Sequence, residues 1–319
     1  MNVNTLMQNV LRSAAVALIL TSPPLATAAA DATDPETHSP LFKPWINGVS
    51  AGEPQMQVQR YDNDTYVIRQ SIRTNFEGPF LYVLFGSDRA LLIDTGAGGL
   101  KIRPTIDRVI DEWAARHHRT SIPLVVAHSH SHGDHHQGDA EFQDRPHTTV
   151  VGLYPKDVAD FFKIADWPNQ IVSYDLGGRV LDIIPTPGHQ SAHIMVFDRK
   201  TRLLFSGDSL GPYRLYIPMN EAKTYRDSID RVAAFTSDKR VSWIFGAHIE
   251  MTTKPGELIP DEAPSHPDEH VLEISYSNLP ELQTALHAMG DHQVQETHSD
   301  FVIFPVPARD QPPFAPPPK

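Results

Sequence analysis

The chain has 319 residues, 40% of them hydrophobic, enough to bury one large core or two modest ones. It carries 27 Lys and Arg against 39 Asp and Glu, a formal net charge of −12 with no basic block, so nucleic acid is repelled and is not an expected partner. Cysteine is absent, which removes a disulfide framework, a lipid-modified cysteine anchor and any thiolate nucleophile or metal ligand.

Residues 1–30 have the layout of a secretory signal peptide: a polar start carrying Arg12, an apolar stretch from Ser13 to Leu20, and small-residue cleavage sites in Leu25-Ala26-Thr27-Ala28-Ala29-Ala30. The apolar stretch is too short for a permanent anchor, so the mature chain is expected in the periplasm or outside the cell with no stable membrane anchor. Residues 31–57, rich in Pro, Asp, Thr and Gly, read as an exposed leader, with structure starting near Val58. Tyr66–Ile68, Leu81–Phe85 and Ala90–Ile93 read as a strand meander. Ile102–Ala115 places Ile106, Val109, Ile110 and Trp113 on one helical face, and Leu124–Ala127 reads as a buried strand. Thr148–Val151 is the next strand and Lys156–Ile164 a short helix. Val180–Ile184, Ile194–Phe197 and Leu203–Phe205 are three more strands, followed by a helix at Tyr225–Phe235 and a strand at Val241–Phe245. This alternation predicts an α/β architecture. Arg89–Gly96 and Thr201–Asp208 echo each other, each an apolar strand running into a small-residue turn with an acid, as two related halves or two unrelated strands would. Residues 251–319 form an extension: an acidic Pro-rich loop, a helix at Pro280–Met289, a strand at Phe301–Phe304 and a Pro-rich tail from Gln311 expected to be disordered.

Just after the strand at Leu124–Ala127, residues 128–138 read His-Ser-His-Ser-His-Gly-Asp-His-His-Gln-Gly, with His130, His132, Asp134 and His135 inside six residues. Imidazoles and a carboxylate crowded together without a cation are desolvated and poorly paired. In an extended loop His130 and His132 face one side while Asp134 and His135 diverge, so one pair can serve each of two neighbouring ions. Two ions bound through nitrogen and oxygen need three or four protein ligands each, more than this run provides. The remaining candidates also follow apolar strands, each beside a glycine: His189 after Pro187-Gly188, Asp208 after Ser206-Gly207, and His248 after Gly246-Ala247.

Asp94-Thr95-Gly96, the His130/His132/Asp134/His135 run, Pro187-Gly188-His189, Ser206-Gly207-Asp208 and Gly246-Ala247-His248 stand in the order found in the metallo-β-lactamase superfamily, which the chain resembles over residues 58–250. The resemblance implies an αββα four-layer sandwich with the site along one edge of two sheets. It implies that His130, His132 and His189 hold one metal, that Asp134, His135 and His248 hold the other, and that Asp208 bridges them. Two divalent ions are implied, zinc first, with iron or manganese also compatible with this ligand set. The implied activity is hydrolysis of a carbonyl ester, thioester, lactone or amide in a small-molecule substrate by a metal-bridging hydroxide. Asp134 would orient that hydroxide and move a proton to the leaving group. Asp94 would hold a ligand imidazole or the glycine loop from behind.

The absence of cysteine excludes one type of β-lactamase in this superfamily, and the histidine-rich type lacks an acid at the position of Asp208, so β-lactamase activity is the alternative reading. A mononuclear iron oxygenase on the same scaffold is a second alternative, and it leaves Asp134, His135 and His248 partly idle. Ribonuclease and glutathione-thioester activities are disfavoured by acidity and by export. Around the site, Asn75–Phe80 is expected to form an aromatic flap, and Phe161, Phe162 and Trp167 a wall or part of the core. Tyr213, Arg214 and Tyr216 are candidate donors to a substrate carbonyl or carboxylate. His128 and His136 are expected to flank the ligands and His193 to line the pocket without ligating. The sequence leaves the oligomeric state open.

Overall fold

The computed structural model describes residues 40–290 and 292–315, and the signal peptide expected over residues 1–30 lies outside them. The first sheet opens with an antiparallel meander of β1 (Met56–Asp62), β2 (Thr65–Gln70), β3 (Phe80–Phe85) and β4 (Ala90–Ile93). After α1 (Arg103–Arg116) come β5 (Leu124–Ala127), the single turn α2 (Gly133–His136) and β6 (Thr148–Val150), with β4, β5 and β6 parallel to one another. Then α3 (Pro155–Phe162) leads to β7 (Val172–Asp175), β8 (Val180–Pro185), β9 (Ile194–Asp198), β10 (Leu203–Gly207) and β11 (Arg214–Pro218). The chain continues through α4 (Ala222–Thr236), β12 (Trp243–Gly246), β13 (Glu273–Ile274), α5 (Asn278–Met289), β14 (Glu296–Thr297) and β15 (Val302–Val306). The second sheet has the order β13-β12-β10-β9-β8-β7, and a small third sheet has the order β11-β15-β14.

Side chains alternate across a strand with period two, and here both faces of each inner strand are apolar, as a sheet covered on both sides requires. Leu91 and Ile93 of β4 and Val125 and Ala127 of β5 meet Ile194, Val196, Leu203 and Phe205 of the second sheet in a central core. Their neighbours Ala90, Leu92, Leu124 and Val126 turn the other way, onto Ile106, Val109, Ile110 and Trp113 of α1. On the far side of the second sheet, Met195, Phe197, Leu204 and Ile244 pack under Tyr225 and Ile229 of α4 and Leu282 and Leu286 of α5. Helix, sheet, sheet and helix therefore stack as the αββα sandwich that the resemblance implied. The echoing strands β4 and β10 occupy matching places: each pairs antiparallel with the strand before it and parallel with a later one. No helix among the described residues is long and apolar enough to cross a membrane.

Two expectations change, and the place of the extension, which the sequence leaves open, is filled. The leader is not exposed throughout, because Phe42 and Ile46 are buried and the Phe42 ring lies 5.7 Å from that of Phe245 in the central core. Side-chain amides replace a strand ladder there: Ile46 N–H donates to Gln57 Oε1 at 2.7 Å and Lys43 N–H to Gln59 Oε1 at 2.9 Å, which straps residues 42–46 along β1. Beyond residue 251, α5 packs on α4 and β15 runs parallel to β11, so the extension completes the outer helical layer rather than forming a separate body. Its Pro-rich tail is ordered as far as it is described: Gln311 Oε1 accepts from Ser191 N–H at 2.9 Å, and Phe314 O accepts from Lys156 N–H at 2.7 Å.

Leu282 is fully buried between α4 and α5. Leu282→Ala is expected to lower unfolding stability by about 2–5 kcal/mol, measured by chemical denaturation. A loss below about 1 kcal/mol would mean that the extension is only loosely docked.

Candidate metal centre

Parallel pairing aligns β4 with β5 and β10 with β12, so the segments that follow these strands emerge on one edge of the sandwich. Asp94 follows β4, the histidine run follows β5, Pro187-Gly188-His189 follows β8, Asp208 follows β10 and His248 follows β12. The last turn into Asp208 is tight. Gly207 has φ +53°, and a Cβ there would lie 2.7 Å from His193 Nε2 and 2.8 Å from Ser129 Cβ, so only glycine fits.

The edge gathers donors into two groups whose ligand atoms all lie within 4.8 Å of one another: His130, His132, His189 and Asp208, and Asp134, His135, Asp208 and His248. In the first, His132 Nδ1 is 2.9 Å from His130 Nε2 and 3.0 Å from His189 Nε2, and Asp208 Oδ2 is 3.6 Å from both Nε2 atoms. In the second, Asp134 Oδ2 is 2.9 Å from His135 Nε2 and 3.2 Å from His248 Nε2. Asp208 reaches both members of that group too, Oδ2 at 3.4 Å from His135 and Oδ1 at 3.5 Å from His248. A tetrahedral site with bonds of about 2.0–2.1 Å sets its ligand atoms roughly 3.4 Å apart, close to these separations.

The tautomers support the same conclusion. His189 Nδ1–H donates to Tyr216 O at 2.8 Å, His248 Nδ1–H to Glu77 O at 2.9 Å and His135 Nδ1–H to Asp94 Oδ2 at 2.9 Å. Each bond turns the Nε2 atom toward the centre, the arrangement in which outer partners orient metal-binding imidazoles. Asp208 Oδ1 is buried without a hydrogen-bond partner. Lone pairs converging on lone pairs, beside an orphaned carboxylate oxygen, are satisfied by a cation, so these residues fit metal ions.

Burial and charge divide the ligands. Burial, helped by neighbouring histidines, pushes His130 well below the usual histidine range, and burial brings His132 down to about 4. Burial also works against the charged form of His248, but Asp208 and Asp134 outweigh it and push that histidine up to about 10. For Asp134 burial acts upward, and the attraction of His135 and His248 overcomes it to hold the carboxyl below its ordinary value.

Asp94 is buried and accepts from Ser129 N–H at 2.7 Å and Ser129 Oγ–H at 2.9 Å as well as from His135. It therefore stands behind the ligand imidazole, one of the two places anticipated for it. His193 does not ligate: its Nδ1 is 2.8 Å from Thr186 Oγ1, and its Nε2 accepts from Asp208 N–H at 3.3 Å, steadying the turn. His128 is buried, with Nδ1 3.2 Å from His135 O.

A cavity of about 440 Å³ opens onto the donors and is bordered by Phe76, Glu77, Tyr216, Ile259, His266 and Arg309. Phe76 is 51% exposed at its rim, as expected of a flap. Of the candidate substrate donors, Tyr213 borders the cavity but is 2% exposed, and its hydroxyl is committed to Gly207 O at 2.6 Å, bracing the turn beneath Asp208. Arg214 borders the cavity, but its guanidinium is committed to Glu250 at 3.2 Å, Ile259 O at 3.0 Å and Asp261 at 3.0 Å. Tyr216 presents its ring to the cavity with its hydroxyl 3.4 Å from Glu250 Oε1. Phe162 is buried in the central core with Phe161 and Trp167 against it, so these aromatics are core and not wall. The sequence reading missed Glu77, whose carboxyl is pushed up to about 7, chiefly by burial and further by Asp134, Asp208 and Glu250. Only its place two residues past Asn75 in the flap hinted at it.

The model of the metallo-beta-lactamase superfamily matches residues 75–242, more than half of the chain, and the chain belongs to that superfamily. It is similar to a hydroxyacylglutathione hydrolase of Rhizobium meliloti (strain 1021), 30% identical over 138 residues, a match covering 40% of this chain and 52% of that protein. It is also similar to acyl-coenzyme A thioesterase MBLAC2 of Bos taurus, 25% identical over 201 residues, covering 53% of this chain and 72% of that protein. The match thus spans about half the length of the first of these relatives. Among solved structures, a metallo-beta-lactamase from Pontibacter korlensis is 17% identical with a TM-score of 0.48, covering 73% of this chain and 99% of that one.

Asp94→Asn keeps a residue that tolerates this backbone but removes the charge behind His135. It is expected to weaken metal binding by about 10–100-fold, read by competition with a chelator. Unchanged affinity would show that Ser129 and the backbone orient His135 without Asp94.

Proposed function

We propose that the chain is an exported, dinuclear metal-dependent hydrolase that cleaves a thioester or a related carbonyl ester of a small molecule. The observation that carries this reading is Asp208, which lies within ligand distance of both donor groups. On this reading His130, His132 and His189 hold one cation, Asp134, His135 and His248 hold the other, and Asp208 is shared. A bound pair of divalent ions, zinc first, would supply Lewis acidity that lowers the pKa of water toward about 7 and polarises a carbonyl.

The chain's own residues do the rest. Asp134 borders the cavity, and its carboxylate orients the attacking water and accepts its proton. Phe76, Tyr216 and Ile259 offer apolar surface for an acyl group, in a space within the roughly 300–1,000 Å³ of small-molecule sites. The relatives named as a thioesterase and as a hydroxyacylglutathione hydrolase favour a sulfur or oxygen leaving group over a lactam nitrogen. A mononuclear oxygenase would leave Asp134, His135 and His248 without a role, although they form a complete donor group with Asp208. Export rests on the composition of residues 1–30.

The test is metal content of the purified mature protein together with turnover of thioester, aryl ester, lactone and lactam substrates. Two zinc ions per chain are expected, with thioester or ester turnover that a chelator abolishes and zinc restores. One iron with thiol-dependent oxygen uptake, or turnover of lactams alone, would overturn the reading. Asp208→Ala is expected to cost more than the roughly 10–100-fold typical of partners behind the ligands, and to lower metal occupancy with it. Full occupancy and turnover in that variant would exclude the shared-ligand assignment. Export predicts a mature N-terminus within residues 25–31 in a periplasmic or culture fraction, and protein retaining Met1 in the cytoplasm would refute it.

A further inference from the structure

The acidic loop of the extension brings to the cavity an imidazole that the reaction above does not use. His266 is 8% exposed and borders the same cavity as His132, Asp134, His189, Asp208 and His248. Its backbone N–H donates to Asn47 O at 2.7 Å, which ties the loop to the strap before β1. Its Nδ1–H donates to Glu269 Oε1 at 3.0 Å, and among the described residues Nε2 has no partner. Glu269 is gripped in turn by both terminal nitrogens of Arg69, with Nη2 at 2.5 Å from Oε1. The Arg69 and Glu269 side chains are only 1% and 7% exposed, and the Arg69 guanidinium lies 4.9 Å from the centre of the Phe80 ring.

A buried ion pair is poor value as scaffolding, since apolar side chains of the same volume often stabilise as well or better. What this pair does accomplish is to fix one carboxylate rigidly behind one imidazole. An imidazole that borders the cavity and is held at Nδ1 by a carboxylate, with no partner at Nε2 among the described residues, has the arrangement of a proton-transfer group. Arg214, which borders the same cavity, is already paired with Glu250 and Asp261.

We propose that His266 is the general acid that protonates the leaving group, with Glu269 and Arg69 as its positioning residues; this rests on the hydrolase reading above. Water adds through its oxygen to the substrate carbonyl carbon while Asp134 takes a water proton. The bond from that carbon to the leaving heteroatom then breaks, and the electron pair stays on the heteroatom. The imidazolium of His266 gives its Nε2 proton to the heteroatom and becomes neutral. Asp134 returns its proton to solvent and His266 regains one from solvent. The sum is ester or thioester plus water giving acid plus alcohol or thiol.

A general acid matters most when the leaving group is a strong base, whereas a structural role would cost every substrate alike. The experiment compares metal-loaded wild type and His266→Gln on esters of one acyl group whose leaving groups rise in basicity from a nitrophenol to an alkanol. The wild-type to variant ratio of kcat is expected to rise at least 10-fold along the series, reaching about 100-fold for the alkyl ester. Glu269→Gln should show the same trend in weaker form, and bound metal per chain should match wild type in His266→Gln. His266→Asn serves as the second variant if the glutamine form does not fold. A ratio constant along the series, or loss of metal from a folded His266 variant, overturns the proposal. Wild type inactive on every ester and thioester would instead sink the hydrolase reading, and this proposal with it.

Discussion

Imidazole and carboxylate donor atoms packed within 4.8 Å of one another at a mostly buried edge are costly to hold without a cation, through desolvation and repulsion among like groups, and keeping them there is the constraint on which the rest of the molecule depends. The repulsion is contained because each ring is gripped from behind. Tyr216 O, Glu77 O and Asp94 take the outward N–H of His189, His248 and His135, so none of the three rings can turn its lone pair away without losing a buried hydrogen bond. Those acceptors belong to β11, the flap and the end of β4, which are themselves fixed by sheets apolar on both faces. Core packing and site geometry are therefore one system, and a change in the sheets reaches the centre through only a few hydrogen bonds.

Much of this was legible in the sequence because the strands that carry the site are short apolar runs that stop at glycine and at a ligand. Leu203–Phe205 before Gly207-Asp208 and Val241–Phe245 before Gly246-Ala247-His248 announce both the strand and its purpose. The strands that escaped notice lack that signal. Arg214 and Pro218 bound β11, whose partner β15 lies far along the chain, and β7 is a polar edge strand. Phe42 and Ile46 were hidden in a Pro- and Asp-rich stretch, because two isolated apolar residues make no period even when both are buried. Tyr213 borders the cavity, but closeness in sequence to Asp208 says nothing about where a hydroxyl goes, and this one is bonded to Gly207 O.

The wall of the cavity facing the donors comes from late in the chain. Ile259, His266 and Arg309 all follow the last candidate ligand, His248, and none sits in a periodic pattern. Ligands that must meet a common geometry leave a recognisable spacing, whereas residues that shape a substrate space need only arrive there. The tail reinforces this division, since Gln311 is hydrogen-bonded to Ser191, two residues beyond His189. The sandwich supplies the donors that fit metal ions, and the extension lines part of the cavity beside them.

Asp94 has φ +67°, in the left-handed region that glycine, asparagine and aspartate enter most readily. The same residue must present an anion to His135 and accept twice from Ser129. Glycine meets the first demand and glutamate the second, but among the twenty side chains aspartate alone meets both. Any single replacement therefore trades backbone strain against loss of charge: asparagine keeps the backbone and loses the anion, whereas glutamate keeps the anion and strains the backbone.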